Sequence, residues 1–302
     1  MKKISFDAPY FTNENEARKY LESIRWTNGV VCPHCGSDEK HYPLKGKATR
    51  EGVWKCKKCR KQFSVTVGTV FERSHIPLNK WLLAAFLLSS SKKGMSAHQL
   101  HRMLNVTYKT AWFMFHRLRY AMDKKQSAKI KGIVEADETY VGGKGHGKRG
   151  RGAENKTPVF ALVERHGNVI SMPVQRVTGE NLKSIIRQNV EKSATVMTDD
   201  FLSYRGLGKN FASHGVINHG RKEYVRGNIH TNTIEGYFSL LKRGIVGVYH
   251  HVGKQHLHRY LSEFNFRYNA REIDDAERSM LALCGIEGKR LMYRDSSISV
   301  NN

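Results

Sequence analysis

The sequence predicts a mixed α/β domain placed behind two smaller modules, one stapled by a metal and one helical. Three observations carry this expectation. Two Cys-x-x-Cys pairs stand between residues 32 and 59; residues 77–122 repeat apolar side chains at helical spacing; and from Lys131 onward strand-like runs alternate with helical ones. The expected divisions are 1–72 for an N-terminal helix and the cysteine module, 73–126 for the helical region, 127–275 for the α/β domain and 276–302 for a tail. A chain of 302 residues is long enough to bury a core in two or three such units.

Residues 13–25 read as an amphipathic helix, with Ala17, Tyr20, Leu21 and Ile24 at helical spacing. The cysteine region that follows is rich in polar turns and β-formers, which suits small strands. Pro77 opens an almost wholly apolar helix that Gly94 ends. Ser96 then caps AHQLHRML, Asn105-Val106 turns the chain, and Thr107 caps YKTAWFMFHRLRYAM. In that last helix Ala111, Met114, Phe115 and Leu118 make one apolar face, and Lys109, Arg117 and Arg119 lie outside it. Two short helices around a tight turn describe either a helix-turn-helix or a plain helical hairpin; basic residues on the second favour the first. Beyond Lys131, strands are expected over Gly132–Val141, Pro158–Arg165 and Val169–Val174, the last two joined by a turn at His166-Gly167-Asn168. Thr178 can cap a helix over 179–192, a buried strand runs from Ala194 to Thr198, and helices cover about 231–243 and 254–270. Three strands, a helix, a strand and then helices is the order of a ribonuclease-H-like fold. The Gly/Lys/Arg-rich stretch GGKGHGKRGRGAENK reads as a mobile loop, and the tail after about Lys289 as loose.

Twenty residues separate Cys35 from Cys56. Two knuckles at that spacing, Cys32/Cys35 and Cys56/Cys59, match a four-thiolate zinc ribbon. A small region with little core needs such a staple. Four thiolates close the shell, so His34 is not expected as a ligand. Cys284 reads as an ordinary thiol.

Lys and Arg number 51 against 27 acidic residues, a net charge of +24. So large an excess calls for a polyanionic partner, of which nucleic acid is the usual one. The sequence has no spanning segment and no secretory signal, which points to the cytoplasm.

Three acids stand out against this basic background. Asp137 sits inside a strand, where Asp is depleted; Asp199 closes the strand ATVMTD; Glu235 lies near the start of a helix. Each has an ordinary reading. Asp137 can pair with a core Arg, Asp199 or Asp200 can be a helix N-cap after the strand, and Glu235 can complete a capping box with Asn232. Together they converge in this order of elements, and hard carboxylate oxygens suit Mg²⁺ or Mn²⁺ beside a DNA phosphate. Lys242, two turns beyond Glu235, and its neighbour Arg243 are placed to hold phosphate.

At these residues the chain resembles bacterial insertion-sequence transposases of the DDE class that carry an N-terminal zinc ribbon, the ISXO2-like group. The stretches that carry the resemblance are RWTNGVVCPHCGS, WKCKKCRKQFSVTVGTVF, KWLLAAFLLSSSKKGMSAHQLHRML, VTYKTAWFMFHRLR, VEADETYVGGK, MTDDFLSYRGL and HTNTIEGYFSLLKRGIVGVYHHVGKQHLHRYLSEFNFRYNAR, from about Arg25 to Arg271. The resemblance implies a ribonuclease-H-like catalytic domain that cuts and joins double-stranded DNA at the inverted-repeat ends of a mobile element. It implies two catalytic Mg²⁺ or Mn²⁺ ions beside the structural Zn²⁺, a homodimer or larger assembly, and association with the nucleoid. It maps the first two acids to Asp137 and Asp199. The third is Glu235 or Asn232, one turn apart; Glu235 is the better hard-metal ligand and its spacing to Lys242 fits a Glu-then-Lys signature. The resemblance also places Arg259, Arg267 and Arg271 on a helix facing DNA, although Glu263 could pair with Arg259 or Arg267 instead.

Overall fold

The computed structural model describes residues 5–46, 48–124, 128–143, 155–221 and 223–293. The Gly/Lys/Arg-rich stretch expected as a mobile loop lies, over 144–154, outside the described residues, as does the tail beyond 293. The chain divides into two compact units, residues 1–124 with 272–302, and residues 125–271.

The first unit opens with α1 (Pro9–Thr12) and α2 (Glu14–Arg25). Asn13 starts α2 by accepting the Asn15 and Glu16 backbone N–H groups at 2.8 and 3.2 Å, which satisfies donors that a helix start leaves open. A small antiparallel sheet follows, in the order β1 (His41–Pro43), β2 (Trp54–Cys56), β3 (Gln62–Phe63). Trp26 packs edge-on against Trp54 and Phe63, each 6.1 Å between ring centres, and supplies the little core this sheet has. Pro77 precedes α3 (Leu78–Ser90), whose apolar residues are buried nearly all round. Ser96 and Thr107 cap α4 (Ala97–Leu104) and α5 (Tyr108–Met122) by accepting the Gln99 and Thr110 N–H groups. Asn105, at φ 49°, makes the left-handed turn between them, a conformation Asn tolerates better than most residues.

The second unit is a five-stranded sheet covered on both faces. Its strands are β4 (Ile133–Gly142), β5 (Lys156–Glu164), β6 (Val169–Pro173), β7 (Thr195–Asp199) and β8 (Ser213–Ile217), in the order β6-β5-β4-β7-β8. β4, β5 and β6 are antiparallel neighbours, whereas β7 and β8 run parallel to β4. β8 was not expected from the sequence: SHGVI is short, carries Gly and His, and alternates weakly. Side-chain alternation divides the strands cleanly. Val134, Ala136, Phe160, Leu162 and Val196 pack with Leu182 and Ile186 of α6 (Gly179–Asn189). Val141, Val159, Ala161 and Val163 pack on the other face with α7 (Asn232–Gly244) and α8 (Leu257–Asn269). Ser171, Tyr237 and Asn265 tie these last elements together through side-chain bonds of 2.6–2.8 Å.

The chain then returns to the first unit. Where the sequence suggested a tail, α9 (Asp275–Cys284) forms, capped by Asp274, which accepts the Glu277 N–H at 2.9 Å. Ala282 and Leu283 are buried, and Arg278 reaches the Ser89 carbonyl of α3. Among the described residues no helix is long and apolar enough to cross a membrane.

Candidate active site and zinc centre

The four cysteines meet. Cys32 and Cys59 Sγ are 3.7 Å apart, as are Cys35 and Cys56, and all four donor atoms lie within 4.8 Å of one another. Thiolates about 2.3 Å from a tetrahedral zinc ion stand about 3.8 Å from each other, so the donor set fits zinc. Two tight turns bring this about. Gly36 N–H bonds back to the Cys32 carbonyl at 2.9 Å and Arg60 N–H to that of Cys56 at 2.9 Å. The thiols move in opposite directions: Cys56 is pushed down to about 6, chiefly by the Cys59 backbone N–H, and Cys35 up to about 11, where the Ser37 backbone hydrogen bond is outweighed by burial and the other three thiols. His34 Nε2 donates to the Gln62 carbonyl at 3.1 Å, and the ring stands outside the cysteine set.

The acids are brought together by register. β4 pairs in parallel with β7 through Glu135↔Met197. Two residues further along each strand are Asp137 and Asp199, on the same face and side by side as the ladder ends. That face is the one α7 covers. The Asp137 carboxyl is pushed up to about 8, first by burial and then by the negative charges of Glu138, Asp199 and Glu235. The charges of Asp199 and Glu235, the two acids expected beside Asp137, thus act on its carboxyl together with that of Glu138. Such a set fits a hard divalent cation, which would relieve the repulsion. The carboxylates stand further apart than the thiols: among the described residues, the cysteines alone close to within 4.8 Å. Asp137 accepts the Glu138 N–H at 2.7 Å and Asp199 the Phe201 N–H at 3.1 Å, so each side chain is aimed by its own backbone.

The start of α7, which carries Glu235, is held to β4 by Glu135, a residue given no role from the sequence. It is fully buried. It accepts from Arg165 Nε at 2.7 Å, Thr233 Oγ1 at 2.9 Å and the Ile234 N–H at 2.9 Å, with His230 Nδ1 at 3.3 Å. A strand carboxylate therefore caps α7, and the Thr231 side chain at the cap position makes no capping bond. This corrects the Asn232–Glu235 capping box: the cap comes from β4, which leaves Glu235 exposed. Arg165 adds bonds to the Asn228 and His230 carbonyls at 2.8 and 2.9 Å, fixing the approach to α7. The buried acid that pairs with a core Arg is thus Glu135, not Asp137. On the opposite face of β4, Tyr204 donates to Glu138 at 2.8 Å and ties the loop after Asp199 to the same strand.

Along α7, Asn232, Glu235, Ser239, Lys242 and Arg243 form an exposed stripe. Arg243 bonds back to Ser239 Oγ at 2.8 Å. The other basic candidates separate by burial. Lys109 and Arg271 are exposed, and Arg271 lies over the Tyr268 ring at 4.4 Å. Arg117 and Arg119 are buried, contrary to their expected place outside the apolar face. Arg117 donates to the Leu291 and Glu72 carbonyls and sits 4.8 Å over Phe113; Arg119 lies over Phe115. The cause is that α5 has neighbours on more than one side, so its polar face is covered as well. Arg259 and Arg267 are likewise buried, and Arg267 pairs with the buried Glu263 one turn away. These four Arg side chains build the fold and do not face solvent.

The family follows from comparison with known proteins. Residues 129–269 match the ISXO2-like transposase domain and residues 12–62 the transposase zinc-ribbon domain. A protein of the transposable element ISH50 of Halobacterium salinarum is 34% identical over 280 residues, 85% of this chain and 91% of that protein. This chain belongs to the ISXO2-like transposases. A transposase-like protein of Haemophilus influenzae is 31% identical over 105 residues, 35% of this chain and 84% of its own length. Among solved structures, the Drosophila P element transposase strand transfer complex gives a weak likeness, with a TM-score of 0.26 and 10% identity over 65% of this chain and 58% of that one. The zinc-ribbon match spans the four clustered cysteines up to residue 62, which makes them the zinc centre of that module.

Proposed function

We propose that this protein is a DNA transposase that binds the inverted-repeat ends of its insertion sequence and performs metal-dependent cleavage and strand transfer through a ribonuclease-H-like domain. What supports the reading is the register that sets Asp137 and Asp199 side by side where β4 and β7 end, with the charge of Glu235 on α7 acting on Asp137, inside a protein of net charge +24. A sheet of three antiparallel strands continued by two parallel ones, with helices on both faces, supports the ribonuclease-H-like assignment.

Asp137, Asp199 and Glu235, with the Asn232 amide oxygen one turn from Glu235, would hold two divalent ions, Mg²⁺ or Mn²⁺, which supply Lewis-acid stabilisation to the attacking and leaving oxygens. Lys242 and Arg243, exposed on the same helix, bind the phosphates that flank the scissile bond. Glu135 and Arg165 keep α7 seated so that Glu235 stays opposite Asp137. Water displaces the 3′ oxygen at the element end; the freed 3′-hydroxyl then attacks a target phosphodiester in line, with no covalent link to the protein. Lys109 and Arg271 are the exposed candidates for further phosphate contacts; Arg117, Arg119, Arg259 and Arg267 support the scaffold. Joining two ends calls for two copies or more.

The test is strand transfer with purified protein, Mg²⁺ or Mn²⁺, a labelled duplex of the repeat that flanks its gene, and a supercoiled plasmid. Joined product that disappears with Asp137→Asn is the expected result. Cutting without joining would favour a simple nuclease, and tight binding without either would leave a DNA-binding regulator.

A further inference from the structure

The exposed stripe of α7 does not end with its charged residues. Beyond Gly244 the chain makes a π-helical turn, Ile245–Tyr249, and Val246 continues the line of Glu235, Ser239 and Lys242 at helical spacing. Val246 is 70% exposed, more than any other large apolar side chain among the described residues. A single exposed apolar residue is ordinary. This one has two unusual features. First, it projects from a polar surface rich in cations: Lys242 and Arg243 precede it and Lys254 follows, all exposed, with exposed His250 and His251 between. Second, the chain that follows the turn carrying it is strained, and the turn's last residue is braced. His250 sits at φ 57° and ψ −50°, and His251 N–H bonds to the Tyr249 carbonyl at 2.6 Å, a γ-turn of the rare positive-φ kind. Such strain persists only where its surroundings enforce it. Here Tyr249 donates to buried Glu263, itself paired with Arg267, and packs edge-on against Tyr260 at 4.8 Å. The buried Arg267 thus steadies, through Glu263 and Tyr249, the end of the turn that carries Val246.

We propose that this turn is a DNA-distorting wedge, with Val246 inserted against a base step while the flanking cations hold the phosphates on either side. The inference rests on the transposase reading above. Apolar side chains on a basic surface open base steps in this way, at the cost of unstacking, and a braced turn loses little further freedom on contact. The geometry also sets the position. Glu235 and Val246 are eleven residues apart, about 16 Å along a helix. At about 3.4 Å per nucleotide, the opened step lies within about five nucleotides of the scissile phosphate.

The experiment places 2-aminopurine at successive positions around the cleavage site in a duplex of the flanking repeat. Wild-type protein should brighten it several-fold at one step within about five nucleotides of the cut. Val246→Ser should lose that signal and cleave the paired duplex about tenfold more slowly, whereas Val246→Leu should keep both. A duplex already mismatched at that step should restore cleavage by Val246→Ser, which a folding defect would not allow. The proposal is overturned if wild-type protein cleaves without brightening any position, or if Val246→Ser cleaves paired and mismatched duplexes in the wild-type ratio. It is also overturned if the Ser variant changes only self-association in sedimentation, since Val246 would then be a contact between copies. Wild-type protein that neither binds nor cuts the repeat would instead bring down the transposase reading itself.

Discussion

The four thiols of the ribbon and the three carboxylates of the sheet are both built to take metal, yet they are organised in opposite ways. The thiols are drawn into contact by two backbone turns, and a metal held there would staple the small β1–β3 sheet. The carboxylates are held near one another by a scaffold that gains nothing from it: burial and mutual repulsion push the Asp137 carboxyl up to about 8. One site therefore contributes to folding, whereas the other is tolerated by a fold stabilised elsewhere, as active sites commonly are.

The largest effect that could break this contrast is zinc removal. Structural zinc sites contribute about 10–16 kcal/mol to folding of small modules, so strong chelation or Cys32→Ser should release the metal and abolish the near-ultraviolet signal of the packed Trp26 and Trp54. A metal-free ribbon that kept this signal would show the aromatic core to be sufficient alone. Next comes the support of the acid site. Glu135→Ala strands the Arg165 guanidinium and the α7 start, which should cost about 3–5 kcal/mol in chemical denaturation; Glu135→Gln, still an acceptor, should lose less. Equal losses would mean that its charge, not its capping, matters.

A smaller effect, of opposite sign, is expected at Asp137. Its folded-state pKa is above its unfolded value, so between about pH 4 and 8 the folded protein holds a proton that the unfolded chain has released. Stability should therefore fall as pH rises through that window when no divalent ion is present. Asp137→Asn should stabilise the metal-free protein by about 1–3 kcal/mol at pH 7 and hardly at all near pH 4. A destabilised Asn variant at pH 7 would remove the distinction between the two sites. The smallest effect is at the surface. On the DNA-binding reading, Lys109→Ala should lower the salt slope of DNA affinity by about one, while Arg117→Leu should leave that slope alone and lower the melting temperature.

Local signals in the sequence were sufficient for what local chemistry decides. The cysteine spacing, the Ser96, Thr107 and Thr178 caps, the Asn105 turn and the strands bearing Asp137 and Asp199 are all legible, because each depends on neighbours within a few residues. Periodicity identifies an apolar face but not how many partners a helix has, which is why Arg117, Arg119, Arg259 and Arg267 looked available and are buried. Glu135, which alternation puts on the same strand face as Asp137, was given no role for the same reason: its partners Arg165 and Ile234 are 30 and 99 residues away. A charged residue alternating into the face of a buried strand was the available clue. β8 could have been suspected only from the sheet edge it completes.

One consequence concerns biosynthesis. The first unit is assembled from both ends of the chain: α9 returns to α3, Arg25 pairs with Glu287 at 3.0 Å, Arg117 bonds to the Leu291 carbonyl, and Lys289 caps the carbonyl end of α5 at Tyr120 and Ala121. On the ribosome, residues 1–124 emerge early yet lack these partners until 272–293 have followed them out. The intervening sheet can close first, although its strands are made later. Full maturation of the N-terminal unit is thus coupled to completing translation through residue 293, and an interrupted transcript yields a protein whose leading module has no finished interior.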